Sequence, residues 1–249
     1  MSREPNLLQQ QPLILASGSA IRAKLLTSLG LQFLAIPSHC DEETIKLHHQ
    51  SEHFRPLEKL AEGKDVREEA AHRSEMYTDS SAESAKQFAS SVEFQERPFV
   101  DLGFALARAK ALEVSQHHLE HFVIAADQLC VINDRVLDKP LKHQTAVEHL
   151  QLLSGKTHQQ IACVCIAKNN KILWQYHDVA NLLVRDLAQN EIDAYLRCEE
   201  PYHSCGAYQY ESLGKWLFKE VEGQEDTILG LPLLPLTNAL IRLGAVRFA

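Results

Sequence analysis

The sequence predicts an α/β protein, because apolar runs of strand length alternate with stretches whose apolar residues follow helical spacing. Three observations support this. A short apolar run at residues 13–16 leads through a serine-glycine-serine turn into a helical pattern at residues 20–29. A compact apolar run at residues 122–126 follows an amphipathic pattern at residues 100–114. Two long strand patterns come further along the chain, joined by a short polar turn.

Ser17, Gly18 and Ser19 form the turn of the first strand–helix unit. Ser19 is of the residue type that caps helix N-termini, and the helical pattern stops at Gly30. Backbone N–H groups and the positive end of the helix dipole should therefore meet at this turn, with Arg22 within one helical turn. Two interpretations are open: a phosphate-binding loop, or an ordinary strand–helix unit whose serines only cap the helix.

A second strand is predicted at residues 31–37, and the acids Asp41, Glu42 and Glu43 follow it. Carboxylates just beyond a strand can hold a divalent cation through oxygen ligands. The alternative is a helix start, because acids favour the first turn of a helix for dipole reasons alone.

Residues 47–98 differ in composition from the rest of the chain. Apolar residues become sparse there, and acidic residues outnumber basic ones eleven to seven. The segment lacks the periodicity of a core element, although short surface helices are expected near residues 57–71. We interpret residues 47–98 as a surface insertion.

Asp127 and Gln128 follow the apolar run at residues 122–126, before the strand pattern resumes at residues 129–132. Since ligands bind at the carboxyl ends of strands in open α/β sheets, Asp127 is a candidate catalytic acid. A two-residue Asn-Asp turn then brings the chain back, and Lys139 returns towards the same end. A surface ion pair on a β-hairpin is the alternative.

The rest of the chain continues the alternation. It predicts helices at residues 143–153 and 189–198, strands at residues 159–167, 172–184, 216–221 and 227–229, and a last helix from residue 233 to about residue 243.

Composition limits the function classes. The chain has 249 residues, 45% of them hydrophobic, which is enough for a substantial core. A formal charge of −8 argues against binding a nucleic acid polymer, which normally requires a basic face. No apolar run reaches the length of a membrane span, so we expect no membrane partner and a cytoplasmic protein. The six cysteines contain no C-x-x-C pair and suit free thiols.

The sequence resembles the Maf family of nucleoside triphosphate pyrophosphatases, and the resemblance covers nearly the whole chain outside residues 47–98. The motifs that carry it are Ala16-Ser17-Gly18-Ser19-Ala20-Ile21-Arg22, Asp41-Glu42, Leu106-Ala107-Arg108-Ala109-Lys110-Ala111, Ala126-Asp127-Gln128, Asp138-Lys139-Pro140, Leu153-Ser154-Gly155, Gly206-Ala207-Tyr208 and Gly230-Leu231-Pro232-Leu233. The resemblance implies a mixed twisted sheet with flanking helices, in one domain (residues 1–249) of two lobes around a central cleft. It also implies hydrolysis of a nucleoside triphosphate to the monophosphate and diphosphate, with a divalent cation, Mg²⁺ or Mn²⁺.

Matching the motifs residue by residue implies roles. Asp127 is expected to orient or deprotonate the attacking water, and Glu42 with Asp127 to hold the metal. Catalytic roles fall on Asp127, Glu42 and Lys139, and substrate binding on Ser17, Ser19, Arg22, Lys110, Gln128 and Glu211. Ile21 departs from the family, which usually has a first arginine there, so one phosphate contact is missing or supplied elsewhere.

Gln128 and Glu211 favour the family branch that acts on 7-methyl-GTP over the one that acts on dTTP and UTP. A carboxylate such as Glu211 can accept from both N1–H and the amino group of guanine, whereas uracil and thymine offer one donor between two acceptors. Glu211 as a plain surface residue stays open, and residues 201–205 depart from the usual family loop. A non-catalytic nucleotide-binding regulator of cell division is a further alternative. A homodimer is expected as the assembly.

Overall fold

The structure is a computed structural model that describes residues 7–53 and 83–248, with secondary structure alone for residues 7, 8, 50–53 and 83–97. In chain order its helices and strands are β1 (Leu7–Gln9), β2 (Leu13–Leu15), α1 (Ala20–Ser28), β3 (Phe33–Ala35), α2 (Glu42–His53), α3 (Glu83–Ser115), β4 (Phe122–Ile132), β5 (Arg135–Leu137), α4 (His143–Leu153), β6 (Thr157–Lys168), β7 (Lys171–Val184), α5 (Gln189–Glu199), β8 (Phe218–Glu222), α6 (Glu225–Ile228), α7 (Leu233–Arg242) and β9 (Val246–Phe248).

The described strands form a mixed sheet of order β3-β2-β4-β6-β7-β8, with β5 paired to β4. β2 runs parallel to both β3 and β4, and the other pairs are antiparallel. β1 and β9 pair separately. This mixed sheet with flanking helices confirms the predicted fold class.

Two hydrophobic clusters share one face of β4. Ile124 and Ala126 belong to a cluster that includes residues of α1 and α7. Cys130 and Ile132 belong to a second cluster, with residues of α4 and α5. Because side chains alternate along a strand, Gln128 lies on that same face between the two clusters. The middle of β4 is therefore where the two cores separate.

The chain divides into two compact units, residues 1–40 with 103–249 and residues 41–102. In the second unit, Asp41 accepts hydrogen bonds from the backbone N–H and the hydroxyl of Thr44, at 3.1 and 2.7 Å. These bonds lower the pKa of Asp41. Glu42 and Glu43 fill the first turn of α2, so the helix-start interpretation of this acidic segment is confirmed.

Most predicted elements are confirmed, and four predictions need correction. Residues 227–229 do not form a strand, because α6 occupies Glu225–Ile228. The strand expected from residue 216 is β8, which begins at Phe218 after a 3₁₀ helix. The helix expected at residues 100–114 begins at Glu83. Asp127 does not end a strand, as described below.

The short helices predicted near residues 57–71 lie outside the described residues. Sequence reasoning also missed the small sheet of β1 and β9, whose strands have only three residues each. Within the described part of the chain, no helix is both long and apolar enough to cross a bilayer.

Candidate active site

The turn between β2 and α1 is held by its own serines. Ser19 is the N-cap of α1, and its hydroxyl accepts from the backbone N–H of Arg22 at 3.4 Å. The Ser17 hydroxyl accepts from the backbone N–H of Ser19 at 3.1 Å. Both serines therefore fix the helix N-terminus, an arrangement that the phosphate-binding and the capping interpretations share.

β4 is one continuous strand, so the prediction that Asp127 lies at a strand's carboxyl end is wrong. Asp127 pairs with Cys163 of β6, and the pairing is unbroken from Val123 to Val131. The backbone ladder with β6 continues regardless of which side chains β4 carries, and this is why the polar pair Asp127-Gln128 does not end the strand.

The opposite edge of β4 is interrupted beside Asp127. β2 pairs with β4 only as far as Ile124, and β5 pairs with it only from Cys130 onwards. We call the stretch between them, residues 125–129, the β4 gap. Here side chains reach the strand's backbone: Arg22 Nη1 donates to the carbonyl oxygen of Ala126 at 2.8 Å. Cys205 Sγ donates to the carbonyl oxygen of Gln128 at 3.9 Å.

Asp127 forms a tight ion pair in this gap. Its Oδ1 lies 2.6 Å from Lys110 Nζ of α3, and the two side chains are only 10% and 13% exposed. In such a weakly solvated place a carboxylate and an ammonium interact far more strongly than on the surface. The pair orients the carboxylate and leaves Asp127 Oδ2 without a hydrogen bond among the described residues.

Four charged side chains of the site act on the thiol of Cys205. Burial raises the pKa of this thiol; Asp127 and Asp138 raise it further, while Lys139 and Arg22 lower it. Arg22, Asp127 and Lys139 are far apart in the sequence, yet the charges of all three act on this one thiol. Lys139 is exposed and lies two residues beyond β5, whose last pair with β4 is Leu137 with Cys130.

The loop that carries Cys205 is anchored by a buried polar cluster. The hydroxyl of Tyr208 accepts from Gln160 Nε2 at 2.6 Å and lies 2.8 Å from His158 Nε2. His158 and Gln160 are buried on β6. Burial lowers the pKa of His158 to about 4 despite the opposing effect of the Leu182 carbonyl, so this imidazole is neutral at pH 7.

Glu211 and Glu42 are the two remaining predicted residues. Glu211 is exposed, and its charge acts on the hydroxyl of Tyr195, whose pKa is raised chiefly by burial. Glu42 begins α2 in the second unit. The structure thus gathers the predicted residues Ser17, Ser19, Arg22, Lys110, Asp127, Gln128 and Lys139 within the first unit.

Comparison with known proteins decides the family. Residues 12–243 match the family described as Maf-like protein. The chain belongs to the Maf family. The nucleoside triphosphate pyrophosphatase of Legionella pneumophila (strain Paris) is 53% identical over 239 residues, covering 96% of this chain and 97% of the relative.

More distant relatives of this Maf-family chain also match along almost their whole length. The 7-methyl-GTP pyrophosphatase of Rhizobium meliloti (strain 1021) is 34% identical over 236 residues, covering 94% of this chain and 97% of the relative. A nucleoside triphosphate pyrophosphatase of Nitrobacter hamburgensis is 37% identical over 236 residues, covering 94% and 92%. The resemblance to the Maf family predicted from the sequence is confirmed.

Sequence reasoning missed two groups at this Maf site, Cys205 and Asp138. Cys205 stands beside the recognised motif Gly206-Ala207-Tyr208, and Asp138 lies within the motif Asp138-Lys139-Pro140 but was given no role. Membership of a motif or adjacency to one was therefore the available signal, and it does not distinguish a residue that faces the site from one that faces away.

Proposed function

We propose that this chain hydrolyses a nucleoside triphosphate to the monophosphate and diphosphate. Its relatives of the Maf family are named nucleoside triphosphate pyrophosphatases. The observation that carries the proposal is the Lys110–Asp127 pair in the β4 gap, close to the charges of Arg22 and Lys139. An oriented carboxylate beside several cations suits the attack of water on a phosphate chain.

The positively charged side chains of the site can neutralise the negative charge that builds up in this reaction. Cleavage between the α- and β-phosphates builds negative charge on phosphoryl oxygens, and the chain as a whole has a formal charge of −8. Local positive charge must therefore come from the site. Lys110, Lys139, Arg22 and the N-terminus of α1 are the groups we assign to this role.

Asp127 is the residue we assign to the water. Lys110 holds Oδ1, so Oδ2 is the oxygen that accepts a hydrogen bond or a proton from the nucleophile. A carboxylate has no evident use in a protein that only binds nucleotides, because it repels phosphates. The pair therefore favours an enzyme over a non-catalytic regulator.

Divalent cations fit the donor set. Mg²⁺ and Mn²⁺ prefer oxygen ligands, and Mg²⁺ is commonly held by one or two carboxylates together with substrate phosphates. We propose the carboxylates of Asp127 and Glu42 as ligands; among the described residues no cluster of three His, Cys, Asp or Glu side chains is arranged for a metal. A bound cation would supply charge neutralisation at the phosphates.

The proposed substrate is 7-methyl-GTP or another modified nucleotide, with dTTP and UTP as the alternative. Relatives named 7-methyl-GTP pyrophosphatase support it, at 33–34% identity. The sequence argument from Glu211 receives no added support, since this side chain is exposed and acts on Tyr195. The homodimer stays a prediction.

A nucleotide panel tests the proposal. Canonical and 7-methylated triphosphates are incubated with the purified chain and Mg²⁺ or Mn²⁺, and the released diphosphate is measured. We expect monophosphate and diphosphate in equal amounts, with activity lost in EDTA and restored by added metal. Nucleotide binding without diphosphate release from any member of the panel would make the chain a binder instead.

Glu42 is tested separately, because it belongs to the second unit. We expect Glu42→Gln to raise the Mn²⁺ concentration needed for half-maximal turnover. Glu43→Gln, its neighbour in the first turn of α2, is the matched control. An unchanged metal requirement in Glu42→Gln would remove Glu42 from the metal site.

A further inference from the structure

The two residues that flank Asp127 are each tied to the turn before α7. Arg22 Nη1 donates to the carbonyl oxygen of Ala126 at 2.8 Å, and Arg22 Nε donates to that of Gly230 at 2.9 Å. On the other side of Asp127, Gln128 Nε2 donates to the carbonyl oxygen of Ile228. These bonds join α1, the β4 gap and residues 228–230, and we call them the Asp127 joint.

One guanidinium carries two of these bonds. It spans carbonyl groups that lie 104 and 208 residues away along the chain. Its planar fork fixes the directions of its donors, so the two carbonyls are held in a defined relation to each other. The Ala126 carbonyl lies where β2 no longer pairs with β4, and Arg22 thus supplies the hydrogen bond that a neighbouring strand would otherwise give.

Gly230 leaves no room for a side chain in the Asp127 joint. Its φ is +83°, and a Cβ added there would lie 2.8 Å from Gln128 Oε1 and 3.0 Å from Arg22 Nη2. Gly244 has a similar φ of +70° but nothing within 4 Å of such a Cβ. The two glycines share the same backbone requirement, and only Gly230 adds a close approach to the two polar side chains.

We infer that Arg22, Gln128 and Gly230 are positioning residues that hold the backbone on both sides of Asp127, and that they act on turnover more than on substrate binding. The inference rests on the proposed hydrolysis. It assigns Arg22 a role beyond that of a phosphate contact, because both of these bonds go to backbone carbonyls.

Arg22→Lys separates positioning from charge. Lysine keeps the positive charge but carries it as one compact ammonium, which cannot reproduce the fork to two carbonyls. We expect kcat to fall about 30- to 100-fold, the size of effect that small misplacements of a reacting group produce, with KM within about threefold of wild type. A rise in KM with unchanged kcat would overturn the inference and make Arg22 a phosphate clamp only.

Gly230→Ala and Gly244→Ala form the matched pair. Both place an alanine at positive φ, and Gly230→Ala should lower Tm more than Gly244→Ala, because only its Cβ pushes against Gln128 and Arg22. We expect kcat to fall about 30-fold in Gly230→Ala and to stay at the wild-type value in Gly244→Ala. Equal kcat values in the two variants would overturn the inference.

Binding of a non-hydrolysable α,β-methylene triphosphate gives a readout that does not depend on turnover. Its Kd, measured by calorimetry on each folded variant, is expected to stay within about threefold of wild type. A loss of affinity that matches the loss of kcat/KM would assign the joint to substrate binding. Failure of the wild-type chain to release diphosphate would instead reject the proposed function, so the two failures are distinct.

Discussion

The two edges of β4 are held in different ways. On the β6 side, backbone pairs run from Val123 to Val131 without a break. On the other side, β2 and β5 cover only the ends of the strand, and the side chains of Arg22 and Cys205 reach the backbone between them. One strand therefore has an edge built from regular pairing and an edge where polar side chains converge.

This difference implies that the β6 edge of β4 controls stability and that the β4 gap controls turnover. The ladder to β6 depends on backbone hydrogen bonds and on buried apolar side chains. The β4 gap differs, because no described strand pairs with this edge and the side chains of Arg22 and Cys205 bond to its backbone carbonyls. Substitutions at the gap should change turnover, and substitutions facing the ladder should change stability.

Asp127→Asn has the largest expected effect and tests the role of the β4 gap in turnover. Asparagine keeps the shape and the backbone pair with Cys163 but can neither accept a proton from water nor balance Lys110. We expect kcat to fall about 10³-fold, in the range that general-base and electrostatic contributions reach. Diphosphate release is the measurement, and circular dichroism confirms the fold.

Asp134→Asn is the control for this substitution. Asp134 lies exposed in the β4–β5 turn at φ +57°, a conformation that asparagine adopts equally well. The kcat of Asp134→Asn should match that of wild type. Near wild-type activity in Asp127→Asn would show that the carboxylate does not act on the water.

Local signals explain what the sequence could predict. Ser19 caps α1 as expected, the Asn-Asp turn has the two positive φ values that its residue types favour, and α4 spans His143–Leu153 as its apolar spacing indicates. Each of these features is decided by residues within a few positions of one another. The same holds for α2, whose first turn contains the acids that helix N-termini favour.

Features that depend on distant partners could not be predicted in the same way. Asp127 interrupts an apolar run, and only the pairing with β6 shows that the strand continues through it. Thr227 and Ile228 have strand propensity, but Thr227 donates to Asp178 Oδ2 on β7 and the segment forms a helical turn. The pairing of Lys110 with Asp127 likewise needs the relative placement of α3 and β4.

His158 on β6 makes the free energy of unfolding depend on pH. Its pKa is about 4 in the folded chain, because burial disfavours the charged form, against about 6.5 when unfolded. Between these values the unfolded state binds more protons. The contribution of His158 to the free energy of unfolding is therefore complete above pH 6.5 and is lost as pH decreases from about 6.5 towards 4. The expected loss between pH 7 and pH 5 is about 2 kcal/mol.

Urea unfolding at pH 7, 6 and 5 measures this loss. His158→Gln keeps a donor for the Tyr208 hydroxyl but does not titrate, so its unfolding free energy should change less over the same range than that of wild type. The difference between the two slopes isolates the imidazole from the other titrating groups. Parallel slopes would contradict the low pKa.

Ile166→Val has the smallest expected effect and tests the contribution of the β6 edge of β4 to stability. Ile166 is fully buried on β6, paired with Ile124 of β4 and Trp174 of β7. Removing one methylene should lower the free energy of unfolding by about 1 kcal/mol while the surrounding backbone pairs stay in place. Turnover should not change, because no hydrogen bond of the Asp127 joint involves this side chain. A fall in kcat larger than about threefold would show that packing on the β6 side also controls the position of Asp127, and the two edges of β4 would then not be separable.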